Sequence, residues 1–291
     1  MLNLETAHKN FVEKLKNEGK SSATVVAYSK DVEQLLSHLS GMGVNLVSEI
    51  KLGHLEDFMK KLTGADYTLK SVSRKTNATR TFIKFLHFEG EISENVSLGL
   101  KHPKLESKAP RILTKMEYRA LRDATRNDLR TYAMIEMLLQ TGVTISELAE
   151  IKTENLTISE ASGTLFVAKK NNKEARTIPL NKAVIDAVNR YMTEERSIVK
   201  SSGYLFVTKT GNPLLIRNIR STIDRFFKLA GVEKAKVNDL RHTFVAHHLA
   251  SGVSIIYLSK IAGHKRISTT ERYLQYIDRT GEQEKTELDT L

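Results

Sequence analysis

The sequence contains no cysteine, which excludes disulfides, thiol catalysis and cysteine-ligated zinc and fits a reducing compartment. No stretch approaches the roughly 18 consecutive apolar residues that a membrane span requires. The opening MLNLETAHKNFVEKL carries charges where the core of a secretory signal is apolar, so a cytoplasmic protein with no membrane partner is expected. Proline is scarce: only four occur, and two of them fall within KHPKLESKAPRILT, residues 101–114. There is no internal repeat and no low-complexity tract.

What is present points to a polyanion. A length of 291 residues predicts two domains with separate cores, and 40% apolar with 27% charged residues is the balance of a folded globular chain. The formal net charge of +11 is uneven: residues 1–104 hold 15 Lys+Arg against 12 Asp+Glu, residues 105–275 hold 28 against 17, and residues 276–291 hold 2 against 5. A basic surface of this kind attracts nucleic acid, although charge alone also describes an ordinary basic protein.

The first hundred residues read as four amphipathic helices, LETAHKNFVEKLKNEG, SATVVAYSKDVEQLLSHLSGMG, LGHLEDFMKKLTG and SVSRKTNATRTFIKFLHFEG. In the last, Arg74, Lys75, Arg80 and Lys84 fall near one another on a wheel and are candidate DNA-binding residues, or simply a solvated basic face. The segment 105–113 is read as a basic linker between a domain at 1–104 and a second at 114–276, with an acidic tail at 277–291. Beyond Thr114, taken as a helix cap, a helix over Met116–Ala124 is followed by the apolar TYAMIEMLLQTG, which should stop at Gly142. Leu165–Val167 and Thr177–Leu180 read as the arms of a β-hairpin with a long Lys-rich turn. Helices are expected again at Ala183–Lys200, at Ile216–Ala230 and from Asn238. The fold class predicted is mainly α with a small antiparallel sheet.

The chemistry concentrates in NDLRHTFVAHHLASGVSIIYLSKIAGHKRISTTERYLQY, residues 238–276. Arg241 is expected to begin a helix with Leu240, Phe244 and Leu249 inward. A second helix, Ile255–Ala262, should stop at Gly263, immediately before His264. Ser268-Thr269-Thr270-Glu271 has the form of a capping box that places Tyr273 in the second turn of a third helix. His242, His247 and His248 lack the i, i+4 spacing of a helical zinc pair, so no metal and no other cofactor is expected. His242 is expected to buttress the site, and His247 and His248 to lie on a helix surface.

LRHTF followed by GHKRISTTERY resembles the second catalytic half of the tyrosine recombinases, the phage integrase family. In that family an Arg, a His after Gly and a Tyr nine residues further on surround the scissile phosphate, which here implies Arg241, His264 and Tyr273; Tyr276 is the alternative nucleophile. VAKKNNKEARTIPL is similar to the family's hairpin bearing a catalytic Lys, best matched by Lys169, with Lys170 and Lys173 open. TGVTISELAEI and the helical N-terminal domain, SAM-like in the family, extend the resemblance along essentially the whole chain. Two positions depart from it. Thr144 stands where the first catalytic Arg belongs, and Asn238 where the His of His-x-x-Arg belongs.

The resemblance implies cleavage of duplex DNA through a 3′-phosphotyrosyl intermediate by a homo-oligomer, a tetramer in synapsis, with the tail docking on a neighbouring protomer. A phenol is only about 0.1% ionised at neutral pH, so attack requires a nearby acceptor or cation. Two planar guanidinium forks suit a charged phosphorane, and replacing one by Thr144 is expected to slow cleavage by roughly 10²–10³-fold. Asn238 is a milder change, since its amide still donates a hydrogen bond. The competing reading is a weakened homologue that acts as a DNA-binding or architectural partner. A basic helical protein unrelated to DNA chemistry is the third.

Overall fold

The computed structural model describes residues 2–105, 108–159, 162–170, 174–196 and 203–277. The chain divides into two compact units, Met1–Lys108 and Ala109–Leu291, each with its own apolar core. The tail expected from Ile277 lies, after that residue, outside the described residues, as does Lys173.

In the first unit the four expected helices are present: α1 (Leu4–Asn17), α2 (Ser22–Gly41), α3 (Leu52–Gly64) and α4 (Leu69–Phe88). Polar side chains start three of them. Asn3 accepts from the Thr6 N–H at 2.8 Å, Ser21 from Thr24 at 3.2 Å and Thr68 from Ser71 at 3.3 Å, which satisfies donors that no intrahelical carbonyl reaches. Phe11, Leu35, Phe58 and Phe82 fill the core, with the Phe11 and Phe82 rings edge-on at 5.3 Å.

The basic face expected on α4 is not a single solvated surface. Lys75 is buried, donating to Asp31 Oδ1 at 2.9 Å and Gln34 Oε1 at 2.5 Å, both on α2. Arg74 pairs with the same carboxylate, and Arg80 donates to the Leu100 carbonyl. Lys84 alone of the four is exposed with no carboxylate partner among the described residues. A wheel places these side chains near one another but cannot show that Asp31 from α2 faces them from inside.

The second unit opens with α5 (Lys115–Thr125), capped reciprocally by Thr114 and Glu117, then α6 (Leu129–Thr141), buried along most of its length. α6 stops at Gly142, whose φ of 64° is left-handed and whose missing Cβ leaves room for the Phe244 ring. A short α7 (Ile145–Leu148) follows, then an antiparallel sheet β1 (Leu156–Ile158), β2 (Gly163–Val167) and β3 (Arg176–Leu180) in that order. Leu165 pairs with Ile178, so Leu165, Val167, Ile178 and Leu180 face inward while Thr164, Phe166 and Thr177 face solvent. The hairpin was expected; β1, set by its pairing with β2, was not.

Helices complete the unit: α8 (Lys182–Glu194), α9 (Ile216–Leu229), α10 (Val237–Ala250), α11 (Ile255–Ala262) and α12 (Ser268–Glu271). α10 starts four residues before Arg241, because the Asp239 carboxylate accepts from the Lys236 N–H at 2.8 Å and caps the helix there. His248 is fully buried against the Phe244 ring at 4.6 Å, not on the helix surface where it was expected. The capping box expected at Ser268 is absent, since Ile267 is already helical (φ −57°, ψ −37°) and no side chain caps the turn. Tyr273 accordingly lies in a 3₁₀ turn, Arg272–Tyr276, that continues α12.

Candidate active site

α10 delivers Asn238, Arg241 and His242 on successive turns, and the 3₁₀ turn brings Tyr273 against them. His242 Nδ1 and the Tyr273 hydroxyl share a hydrogen bond at 2.5 Å, and the Asn238 amide lies 2.8 Å from His242 Nε2. Burial pushes the Tyr273 phenol above its ordinary value, opposed by the Arg241 charge. Burial pushes His242 down, with Asp239 opposing and Arg241 adding to the shift. The pair therefore sets a neutral imidazole against a neutral phenol near pH 7.

The Asn238 amide can meet either tautomer, offering its NH₂ to a bare Nε2 or its carbonyl to Nε2–H. With the carbonyl turned inward, the Nδ1 lone pair faces the phenol proton. Tyr276, the other candidate nucleophile, is 38% exposed.

Arg241 is buried and donates through Nη1 to the Gly142 carbonyl. Burial lowers its pKa, Glu147 opposes, and Arg176 adds like-charge repulsion; a guanidinium nonetheless stays charged. Thr144 is the N-cap of α7: its hydroxyl accepts from the Glu147 N–H at 3.3 Å while Glu147 Oε2 accepts from the Thr144 N–H at 2.8 Å. Thr144, Asn238 and Arg241 line one cavity of about 440 Å³ together with Arg220, Asp224 and Lys236.

Sequence reading missed Arg176. Its Nη1 and Nη2 donate to the two Glu147 carboxylate oxygens at 3.0 and 3.1 Å, and Nε donates to the Ile261 carbonyl at 2.7 Å. These partners are 29 and 85 residues away in sequence, so no spacing rule could have paired them. A Cβ on Gly263 (φ 68°) would come within 2.8 Å of this guanidinium, which requires glycine there on two grounds.

His264 follows Gly263 and shares a hydrogen bond between Nδ1 and Thr270 Oγ1 at 2.7 Å, beside a second cavity of about 700 Å³ that Arg176 and Lys260 also line. Lys169 stands on the exposed end of the hairpin and pairs with Glu174 at 3.3 Å, while Lys170 pairs with Glu150. The structure thus brings Tyr273, His242, Asn238 and Arg241 into one group, with Thr144, Arg220 and Lys236 lining the cavity that Asn238 and Arg241 share; Lys169 pairs with Glu174 instead.

A buried tyrosine held by an imidazole beside a buried guanidinium, in a helical domain carrying a small antiparallel sheet, puts a hydroxyl, a proton acceptor and a fixed cation together, the groups that phosphoryl transfer to a tyrosine requires. Residues 111–279 match the sequence profile of the "Phage integrase family", and residues 9–90 match that of the "Phage integrase, N-terminal SAM-like domain". The chain belongs to the phage integrase family of tyrosine recombinases. It is 31% identical over 264 residues to a tyrosine recombinase of Pseudothermotoga lettingae, covering 89% of each chain. It is 30% identical over 259 residues to tyrosine recombinase XerC of Staphylococcus saprophyticus, covering 87% of this chain and 86% of that one. The fold is shared with a lambda integrase(75–356) dimer bound to a COC′ core site, at a TM-score of 0.75 and 17% identity over 99% of this chain and 100% of that one.

Proposed function

We propose that this chain is a site-specific DNA recombinase that works in the cytoplasm on duplex DNA, with Tyr273 as nucleophile. The observation that carries this reading is the Tyr273 hydroxyl 2.5 Å from a His242 nitrogen, on the same face as Arg241. Its phenol proton passes to His242 Nδ1 as the Tyr273 Oη–P bond forms and the P–O5′ bond breaks. Arg241 and His264 donate to the non-bridging oxygens, and Lys169, released from Glu174 by contact with DNA, protonates the leaving 5′ oxygen. Attack by a partner strand's 5′-hydroxyl on the phosphotyrosine reverses the bonds. The number of P–O bonds is conserved, so no nucleotide cofactor is needed.

Each protomer supplies one tyrosine, and exchanging both strands of two duplexes requires four cleavages, which supports a tetramer in synapsis. The domains at 1–104 and 114–276 each contribute phosphate contacts, with Lys84 and Arg74 the accessible cations of α4.

The test is covalent capture. The full chain is incubated with a random-sequence pool of nicked duplexes, DNA that stays attached in denaturant is recovered, and the enriched duplex becomes the substrate. Wild type should retain DNA covalently, and Tyr273→Phe should retain none while still shifting the duplex on a native gel. Equal retention by Tyr273→Phe would assign the nucleophile elsewhere.

A further inference from the structure

The cavity beside Arg241 contains more positive charge than the site residues already assigned. Its lining includes the buried Arg241, the half-buried Thr144 and the exposed Asn238, together with Arg220 from α9 and Lys236, the residue preceding α10. Arg220 and Lys236 are both exposed, and among the described residues neither side chain has a carboxylate partner. The other guanidinium near this lining, Arg176, is neutralised by Glu147 through two hydrogen bonds and is further fixed by the Ile261 carbonyl. Thr144 brings only a hydroxyl, already accepting from its own helix.

A phosphodiester enters with one negative charge, and its pentacoordinate state carries two. Lys169 is spent on the leaving oxygen and His264 adds a hydrogen bond, so at the non-bridging oxygens the fixed positive charge of Arg241, with one arm on the Gly142 carbonyl, matches the first charge and not the second. A second cation aimed at the developing charge has its largest effect in that state.

We propose that Arg220 and Lys236 clamp the scissile phosphate in this cavity and together supply the second positive charge that Thr144 does not. This deepens the reading of Tyr273 as a DNA-cleaving nucleophile and rests on it for the identity of the phosphate. Asp224, one turn after Arg220 and lining the same cavity, opposes the clamp. The cavity's formal charge is then three cations against one carboxylate, and the net attraction favours an anion.

Two measurements on the full chain separate this inference from the reading beneath it. The first uses inorganic phosphate as the probe, its binding followed by phosphorus line width, and needs no cleavage. Arg220→Gln with Lys236→Gln should weaken phosphate binding at least about tenfold, and Asp224→Asn should tighten it, as expected for charges at a shared anion site. The second uses the covalently captured duplex. Each single substitution should slow phosphotyrosyl formation about tenfold and the pair roughly 10²–10³-fold, with Arg220→Lys losing less than Arg220→Gln. Thr144→Arg should recover much of the loss in the double variant.

If wild type forms no covalent product, the recombinase reading fails, and the phosphate titration still decides the clamp. If the double variant binds phosphate like wild type, or cleaves within about threefold of it with an unchanged melting temperature, the clamp is overturned. Both side chains are solvent-exposed, so loss of folding does not confuse the result.

Discussion

His242 Nδ1 lies 2.5 Å from Tyr273 Oη across 31 residues of sequence, and Asn238 holds the far side of the same imidazole at 2.8 Å. This links a residue that departs from the family pattern to Tyr273, the proposed nucleophile, through one intervening ring. Burial holds the phenol protonated well into the alkaline range and keeps the imidazole neutral below its ordinary value. The acid limb of the rate should therefore lie below the ordinary His pKa of 6.5: cleavage rises as His242 loses its proton and is flat through neutral pH. Removing the acceptor with His242→Phe should slow covalent-complex formation by roughly 10²–10⁴-fold and erase that limb. A limb unchanged in His242→Phe would assign it to another group. The charges that face His242 are Asp239 and Arg241, so Asp239→Asn should move the limb lower still by removing the group that opposes the shift.

The Asn238 amide predicts a polarity test. Asn238→Asp presents only oxygens to Nε2, which holds the proton there and leaves Nδ1 free as acceptor. Covalent-complex formation at neutral pH should be retained in Asn238→Asp and reduced in Asn238→Leu, where Nε2 loses its partner. The reverse order would show that His242 acts by donating to the phenol oxygen rather than by accepting its proton.

Within the first unit, Lys75 and Lys84 separate stability from DNA affinity. Lys75 is buried on Asp31, so Lys75→Met leaves that buried carboxylate with Arg74 as its one remaining cation and should destabilise the unit by roughly 1–3 kcal/mol in denaturant unfolding. Lys84 is exposed, and Lys84→Gln should leave stability within about 0.5 kcal/mol while weakening duplex binding and its salt dependence. Similar melting curves for the two variants would remove the distinction.

What could be read in the sequence was local. Thr114, Gly142 and Gly263 signal helix ends within a few residues of where they act, and the structure places them there. β1 was not legible, because Leu156–Ile158 is a strand only through its pairing with Leu165–Gly163. Tyr273, Arg241 and His264 were singled out by the resemblance of LRHTF and GHKRISTTERY to the tyrosine recombinases. The Glu147–Arg176 pair, the His242 contact and the cations at the Thr144 cavity did not, since each joins segments brought together by folding. Lys75 and His248 misled for a related reason: periodicity finds an apolar face but does not report a polar residue that folds inward with, or without, a partner.

His248 is the case without one. Both its ring nitrogens are buried and lack hydrogen-bond partners among the described residues, and burial, with His247 adding to it, pushes its pKa down to about 3. The folded chain leaves it neutral where the unfolded chain, with an ordinary value of 6.5, takes up a proton. Nothing is lost above that value. Below it, folding stability falls by about 1.4 kcal/mol per pH unit until the folded-state value is reached. Relative to His248→Leu, wild type should therefore lose about 2 kcal/mol more between pH 7.5 and pH 5. Parallel pH–stability curves for the two proteins would show that the ring finds a proton partner inside the fold.

Thr144 both caps α7 and faces the phosphate cavity, so Thr144→Arg and Thr144→Ala should share one effect and differ in another. Each removes the hydroxyl that accepts from the Glu147 N–H, at a cost of about 1 kcal/mol of stability. Only Arg adds a planar cation. With Arg220 and Lys236 already lining the cavity, that cation should raise covalent-complex formation by less than about tenfold in wild type; without them it should raise it by roughly 10²–10³-fold. The quantity to compare is the Thr144→Arg rate against the Thr144→Ala rate on the captured duplex, in both backgrounds, with stability measured alongside. A rate that falls in Thr144→Arg but not in Thr144→Ala would mean that the cavity has no room for a second fork. A rate that falls equally in both would instead make the Thr144 hydroxyl itself a donor to the phosphate.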